Sequence, residues 1–196
     1  MPYDFVVIGA SLGGLEAVST LLRHLGPEFS VPTAIAQHRA AVAADGELSA
    51  IWQRATTLTV GDAEDKEPIE RGRVYIAPAD YHLLVESREQ FALSTDAPVL
   101  WARPSIDVLF ESAADVYGDS LIGVLLTGAS ADGSQGLKAI RDRGGCALVQ
   151  EPSTAECDVM PRAALAATSV NHVLALPDLG RILTALAGSE MSGSAR

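Results

Sequence analysis

Residues Val6–Gly14 read V-V-I-G-A-S-L-G-G, which predicts a buried strand that ends in a glycine-rich turn and leads into a helix. The apolar run Phe5–Ile8 is short and β-branched, as is typical of a strand covered on both faces of a parallel sheet. Apolar residues then recur at helical spacing, at Leu15, Val18, Leu21, Leu22 and Leu25. A strand-to-helix turn at the carboxyl edge of a parallel sheet is where α/β proteins place their chemistry.

Two interpretations of this turn involve no catalysis. The glycines can serve packing alone, where strand and helix come close. A dinucleotide site would read G-x-G-x-x-G, and Gly9 and Gly14 fit its outer positions. However, Ser11 occupies the middle glycine position, and the acidic residue expected about 20 residues further on is missing. The next strand ends instead in Gln37 and His38.

The third interpretation is a nucleophile turn. Gly9–Gly13 satisfies G-x-S-x-G in the required strand–turn–helix context. The helix N-terminus behind Ser11 offers free N–H groups and a positive dipole end for a developing oxyanion. The α/β-hydrolase version of this turn is disfavoured, because its oxyanion loop comes from an earlier strand and no strand precedes this one.

Length and composition bound the answer. The chain has 196 residues, 48% of them hydrophobic, and a mean hydropathy of +0.20, which fits one domain with a large core. The net charge of −11 speaks against nucleic acid and anionic membranes as partners. Cys146 and Cys157 make no disulfide framework or zinc-ligand spacing, so we expect a reducing compartment. Without a visible signal peptide or a span-length apolar run, we expect a soluble, cytoplasmic protein.

The remaining patterns predict an α/β chain that begins with a parallel βαβ unit. Its further elements are strands at 33–37, 56–60, 121–126, 145–150 and 172–174, helices at 43–54, 105–117, 177–187 and after Gly133 and Pro161, and an antiparallel hairpin of 73–78 with 82–86, to which 90–94 adds a third strand. Residues 188–196 are predicted to form a disordered tail behind a domain of residues 1–187.

Three carboxyl-end turns carry Ser11, His38 and Asp132. In a Ser-His-Asp triad, Ser11 would attack a carbonyl, His38 would move the proton, and Asp132 would orient the imidazole. His38 and Asp132 also have structural interpretations: His38 can be a packing residue at a strand end, and Asp132 can be a helix N-cap.

Rival residues remain open at this stage. Ser130 and Ser134 are rival hydroxyls, and Asp45, Asp80 and Asp107 are rival acids. His82 ranks below His38, because it lies in an alternating strand where it can face solvent. Arg103 could clamp a carboxylate. Thiol catalysis is disfavoured, because Cys146 lies in a predicted buried strand.

Six blocks in order give this chain a resemblance to a known family. The sequence resembles the catalytic domain of the chemotactic protein-glutamate methylesterases of the CheB type, from about Asp4 to Leu186. The blocks are I-G-A-S-L-G-G at Ile8, A-Q-H at Ala36, Y-I-A-P-A-D-Y-H-L at Tyr75, R-P-S-I-D-V-L-F at Arg103, L-L-T-G-A-S-A-D-G at Leu125, and E-P-S-T-A at Glu151 with M-P at Met160.

The resemblance implies a doubly wound, mostly parallel sheet with helices on both faces and an antiparallel hairpin, in one domain. It implies that Ser11, His38 and Asp132 form the triad, and that Leu12, Gly13 and Ala129 border the oxyanion. The implied reaction is hydrolysis of γ-glutamyl methyl esters on methyl-accepting chemoreceptors, with release of methanol, and deamidation of receptor glutamines is a second activity of such enzymes. No metal or organic cofactor is implied.

Several residues depart from the family pattern. Leu12 replaces a threonine beside the nucleophile, Ala129 replaces a methionine, Ser130 replaces a glycine, and the segment after His38 lacks its usual proline and aromatic residues. These departures leave a second hypothesis open, a docking or regulatory domain with weak or no catalysis. A nucleotide-binding regulator is the third choice.

Family members usually carry an N-terminal receiver domain. Because Met1 stands directly before the first strand, we expect a freestanding esterase. A domain excised from a longer protein and a member that acts outside classical chemotaxis are the alternatives. A separate regulatory protein is the partner expected for a freestanding esterase.

Overall fold

The computed structural model describes residues 3–26, 28–39 and 46–187. Its elements are β1 Phe5–Ala10, α1 Gly14–Arg23, β2 Thr33–Gln37, α2 Glu47–Gln53, β3 Thr59–Asp62, β4 Arg73–Ile76, β5 His82–Val85, β6 Phe91–Ser94, α3 Ile106–Tyr117, β7 Leu121–Leu125, α4 Ser134–Asp142, β8 Cys146–Gln150, α5 Val159–Ala167, β9 His172–Leu174 and α6 Leu176–Ala187. The start of the predicted second helix, residues 43–45, and the predicted disordered tail, residues 188–196, lie outside the described residues.

Within the described ranges, seven parallel strands form one sheet in the order β3-β4-β2-β1-β7-β8-β9. β1 is central and pairs with β2 and β7, so that Ile8 lies opposite both Ile35 and Val124. The strand order reverses at β1, which places the topological switch point between β1 and β7. The doubly wound, mostly parallel α/β fold predicted from the sequence is confirmed.

The prediction that residues 73–78 and 82–86 form the antiparallel hairpin is wrong. β4 does not pair with β5; it inserts between β3 and β2 and runs parallel to both. The small antiparallel sheet is instead β5 with β6, in which His82 lies opposite Ser94. The burial of β4 explains the error, because Val74, Tyr75 and Ile76 are all fully buried, which is the pattern of a strand covered on both faces.

The predicted strand at 56–60 is also shifted. β3 begins only at Thr59, because residues before it form a tight turn after α2. In that turn the Thr56 hydroxyl accepts a hydrogen bond from the Leu58 N–H, and the Gln53 side chain donates to the Leu58 carbonyl.

The sheet separates two hydrophobic cores. One face is covered by α1, α2 and α6, and the other by α3, α4, α5 and the β5–β6 hairpin. Along β1 the side chains alternate between them, with Val6 and Ile8 in the first core and Phe5 and Val7 in the second. This arrangement leaves the carboxyl edge of the sheet free to carry the loops.

Helices α3 and α4 approach each other closely at Gly136. A Cβ atom added there would lie 2.5 Å from the Cβ of Phe110 and 3.1 Å from the Cα of Asp107. The approach matters because the loops before these two helices carry Ser105 and Asp132.

We predict that Gly136→Ala lowers the free energy of unfolding by about 1–3 kcal/mol, because the added methyl group forces α3 and α4 apart. The matched control is Gly61→Ala, whose Cβ would have its nearest neighbour at 3.6 Å. This control should change stability by less than about 0.5 kcal/mol. Urea unfolding measures both, and equal stability of the two variants would contradict the packing argument.

Candidate active site

The turn after β1 is fastened to the loop after β7. Ser11 follows β1 directly, and its backbone N–H donates to the Thr127 carbonyl at 2.9 Å. Gly13 has a φ of 79°, a backbone conformation that residues other than glycine rarely adopt. A Cβ atom added there would lie 2.7 Å from the Cβ of Glu156. The sequence of the turn therefore lets the two loops close around Ser11.

His38 is held on the neighbouring strand end. Its backbone N–H donates to the Ala10 carbonyl at 3.0 Å. The buried side chain of Gln37 donates to the carbonyl of Ser11 at 2.8 Å and to the carbonyl of His38 at 3.0 Å. One amide group thus ties the backbone of Ser11 to that of His38.

The imidazole of His38 is bound to Asp132. Its Nε2 lies 2.7 Å from Oδ2 of Asp132, and the His38 side chain is only 14% exposed. With a proton on Nε2 donated to the carboxylate, Nδ1 is the ring nitrogen left to accept a proton. The role predicted for Asp132, which is to orient the imidazole, requires a contact of this kind.

Asp132 is fully buried and accepts three further hydrogen bonds. Ser105 Oγ and the Asp107 N–H donate to Oδ1, each at 2.9 Å, and the Ile106 N–H donates to Oδ2 at 2.8 Å. Burial by itself raises the pKa of Asp132, but the hydrogen bonds from His38 and from the Asp107 and Ile106 N–H groups outweigh it and lower the pKa. The carboxylate therefore stays ionised.

Asp132 does cap a helix, although not the one it precedes. The N-cap of α4 is Gly133, which has no side chain to offer. Asp132 instead meets the first N–H groups of α3, where Ser105 is the N-cap and accepts from the Val108 N–H. Capping and the proposed catalytic role therefore use the same carboxylate, and the α3 N-terminus fixes its position.

A second carboxylate completes the junction in the opposite direction. Asp107, in the first turn of α3, accepts from the Gly136 N–H of α4 at 2.7 Å. Burial raises the pKa of Asp107 to about 6; the Gly136 hydrogen bond opposes this rise, and the charge of Asp132 adds to it. Each helix N-terminal region is thus bound by a carboxylate from the other side of the junction: Asp132 accepts from α3, and Asp107 accepts from α4.

A cavity of about 600 Å³ opens beside Ser11 and His38. Its wall also includes Leu12, Gly13, Gly14, Leu15, Glu16, Gln37 and Glu156. Among the described residues, no partner accepts from the N–H groups of Leu12 and Gly13, and no hydrogen bond joins the Ser11 hydroxyl to His38. In structures without substrate, the hydrogen bond between a catalytic nucleophile and its base is often long or missing, so this gap does not argue against the predicted pair.

The loop after β7 also carries Ala129 and Ser130. Ala129 is exposed, and within the described part of the chain its N–H has no partner. The Ser130 hydroxyl accepts from the Asp132 N–H at 3.1 Å, so this rival nucleophile supports the Asp132 loop. Ser130 does not have a positive φ, so the serine found in place of the family glycine meets no strain there.

The prediction that His82 can face solvent is wrong, because its side chain is buried. Its Nδ1 accepts from the Ser105 N–H at 3.2 Å, and its Nε2 lies 3.2 Å from the Ala97 carbonyl. His82 therefore supports the residue that caps α3.

The other rivals have structural partners or lie elsewhere. Asp80 forms an ion pair with Arg103 at 2.5 Å, so the carboxylate that Arg103 binds belongs to this chain rather than to a ligand. Ser134 is buried at the start of α4. Burial raises the pKa of the Cys146 thiol, and Asp45 lies outside the described residues.

Sequence reasoning missed three residues of the site. Gln37 was noted only as a strand end, Ser105 only as an N-cap, and Glu156 not at all. The A-Q-H block contained the signal for Gln37, since a polar residue inside a buried strand needs a partner. No local pattern marks Glu156, which reaches the cavity from the loop after β8.

We predict a pH-dependent stability effect at Asp107. Its folded pKa lies above its unfolded value, so the wild type loses stability as the pH rises from about 4 to about 6. Asp107→Asn keeps an oxygen for the Gly136 N–H but carries no charge. The free energy of unfolding of Asp107→Asn, compared with that of the wild type, should therefore increase by on the order of 1 kcal/mol between pH 4 and pH 7. Urea unfolding at each pH measures the difference, and a constant difference would count against titration of Asp107.

Comparison with known proteins agrees with this geometry. The model of the family described as CheB methylesterase matches residues 6–183. A protein of Leptospira interrogans, provisionally named protein-glutamate methylesterase/protein-glutamine glutaminase, is 48% identical over 95% of this chain and 96% of its own length. The protein-glutamate methylesterase FrzG of Myxococcus xanthus is 40% identical over 93% of this chain, which spans 54% of FrzG.

The fold is also found in a solved structure. The crystal structure of the Thermotoga maritima CheB methylesterase catalytic domain superposes with a TM-score of 0.87 at 29% identity, covering 95% of this chain and all of that one. Among the described residues, no helix is long and apolar enough to cross a membrane. Sequence, fold and the arrangement of the carboxyl-edge loops agree, and the chain belongs to the CheB methylesterase family.

Proposed function

We propose that this protein is a serine hydrolase that cleaves γ-glutamyl methyl esters on methyl-accepting chemoreceptor proteins and releases methanol. Ser11 is the nucleophile, His38 the general base and acid, and Asp132 the residue that orients His38. The observation that carries the proposal is the 2.7 Å contact of His38 with a buried Asp132, beside a cavity that Ser11 shares with His38.

In the first half of the reaction, Ser11 Oγ attacks the ester carbonyl and His38 Nδ1 takes the hydroxyl proton. Asp132 stabilises the imidazolium that forms, and it does so without accepting the proton itself. The tetrahedral intermediate then expels the methoxy group, which takes the proton back from His38 and leaves as methanol. A glutamyl ester of Ser11 remains.

In the second half, water attacks the glutamyl ester and gives its proton to His38. Collapse of this intermediate returns the His38 proton to Ser11 and frees the glutamate side chain as a carboxylic acid, which ionises by releasing the second water proton to solvent. The N–H groups of Leu12 and Gly13, which have no acceptor among the described residues, are the proposed donors to the oxyanion in both halves, and the N–H of Ala129 on the opposite loop is a third. Leu12 and Ala129 supply this function through the backbone, so their changed side chains are compatible with turnover.

The same site is suited to deamidation. A glutamine side chain differs from the methyl ester in its leaving group, which His38 would protonate to ammonia. The paired activity in the name of the Leptospira interrogans relative supports this second reaction. The finer expectations remain part of the proposal: a methylated receptor as partner, a separate regulatory protein, no nucleic acid, and a cytoplasmic location.

We predict that Ser11→Ala and His38→Ala lower kcat by a factor of about 10⁴ or more, and Asp132→Asn by about 10³–10⁴. The measurement is release of labelled methanol from receptors that carry tritiated methyl esters. Ser153 is an exposed serine outside the cavity, so Ser153→Ala is the matched control and should leave the rate unchanged.

Two results would contradict the proposal. A folded wild-type protein that releases no methanol would favour the docking-domain hypothesis. Full activity in Ser11→Ala would move the nucleophile to another residue.

A further inference from the structure

A two-residue turn displays two large apolar side chains next to the candidate active site. Val99 and Ala102 exchange backbone hydrogen bonds of 3.1 and 2.8 Å, and Leu100 and Trp101 form the tip between them. The Trp101 side chain is 100% exposed and that of Leu100 is 54% exposed. Trp101 is more exposed than every other large hydrophobic residue in the described part of the chain.

The residues at the tip are unfavourable for its backbone. Leu100 has a φ of 46° and Trp101 a φ of 67°. A two-residue turn with positive φ at both central positions favours Asn and Gly, since bulky side chains are strained there. The sequence keeps a leucine and a tryptophan instead, and strain of this kind concentrates at functional sites.

The turn is rigidly mounted. Arg103 directly after it donates to Asp80 through both Nε and Nη2, at 3.0 and 2.5 Å. Its Nη1 donates to the carbonyls of Thr95 and Asp96, in the segment between β6 and the turn, at 2.7 and 2.9 Å. The Trp101 side chain therefore projects from a fixed base.

The turn borders a second cavity that shares His38 with the first. This cavity has a volume of about 460 Å³ and lies between the turn and the loops that carry His38 and Ser130. The first cavity, which His38 also lines, is bordered by Leu12 and Leu15, which are 53% and 44% exposed. Exposed apolar side chains thus border both of the cavities that share His38.

From this arrangement we infer that Trp101 and Leu100 form the docking site for the polypeptide segment of the protein substrate that flanks the esterified glutamate. The inference rests on the proposed function and deepens it. A segment that presents its ester to Ser11 passes His38, and the second cavity continues the first on that path. Trp101 and Leu100 then decide that the enzyme acts on a protein rather than on any small ester.

Charge favours an apolar mode of docking. The enzyme has a net charge of −11, and each turnover adds a carboxylate to the substrate segment. A chain with this net charge has no long-range attraction to a segment that bears carboxylates, so affinity must come from local contact. Tryptophan is one of the side chains that are enriched among the residues that dominate binding energy at protein interfaces.

The test compares a protein substrate with a small probe of the same serine. For wild type and Trp101→Ala, kcat/KM is measured on the methylated receptor, and the rate constant for Ser11 labelling is measured with a fluorophosphonate. We expect the ratio of kcat/KM on the receptor to the labelling rate constant to fall about tenfold or more in Trp101→Ala. In Trp101→Phe this ratio should return most of the way to the wild-type value. Leu165→Ala, another exposed apolar residue on α5, should leave both quantities unchanged.

A binding measurement is independent of turnover. Trp52, the other tryptophan, is buried, so iodide quenches mainly the fluorescence of Trp101. Addition of methylated receptor to Ser11→Ala should reduce this quenching.

The outcomes separate the inference from the function it rests on. An unchanged ratio in Trp101→Ala, or quenching that the receptor does not affect, overturns the docking site. A wild-type protein that is labelled at Ser11 but does not demethylate the receptor overturns the proposed substrate instead, and the quenching experiment then still decides whether Trp101 contacts the receptor. Trp101→Gly adds a further check: relief of strain should raise the unfolding midpoint while the ratio falls.

Discussion

The buried carboxylate of Asp132 is the interaction on which the rest of the site depends. It accepts four hydrogen bonds, and three of them come from the N-terminus of α3, which leaves the fourth for His38. A buried charge is costly unless it is fully partnered, so this carboxylate has little freedom to move. Its position, and with it that of the imidazole, is therefore set by the packing of α3 against α4.

The exchange of carboxylates between the two helices makes this position robust. Asp107 on α3 binds the N-terminal region of α4, while Asp132 before α4 binds the N-terminus of α3. Gly136 permits the close approach that both contacts need. On the other side, the parallel pairing of β1 with β2 brings Ser11 and His38 to one edge, where Gln37 binds both carbonyls. Core packing and the proposed chemistry are thus governed by the same contacts.

Local patterns were sufficient for much of this structure. The β1 turn, the β2 strand and the Ser105 cap of α3 were all predicted from short-range periodicity and capping rules, and the structure agrees. The errors arose where a partner lies far away in sequence. Residues 73–76 have the composition of a strand in any setting, and only their burial between β2 and β3 decides against the hairpin. Likewise, Asp132 looks like the cap of its own helix, because nothing local indicates α3 as its partner.

The central claim is that Asp132 and His38 activate Ser11, and labelling with a fluorophosphonate tests it most directly. The labelled residue is located by mass spectrometry in wild type, His38→Ala and Asp132→Asn, each shown to be folded. The account predicts a single adduct on Ser11 in the wild type and loss of rapid labelling in both variants. Labelling of another serine, or equally rapid labelling of Ser11 in His38→Ala, would contradict it.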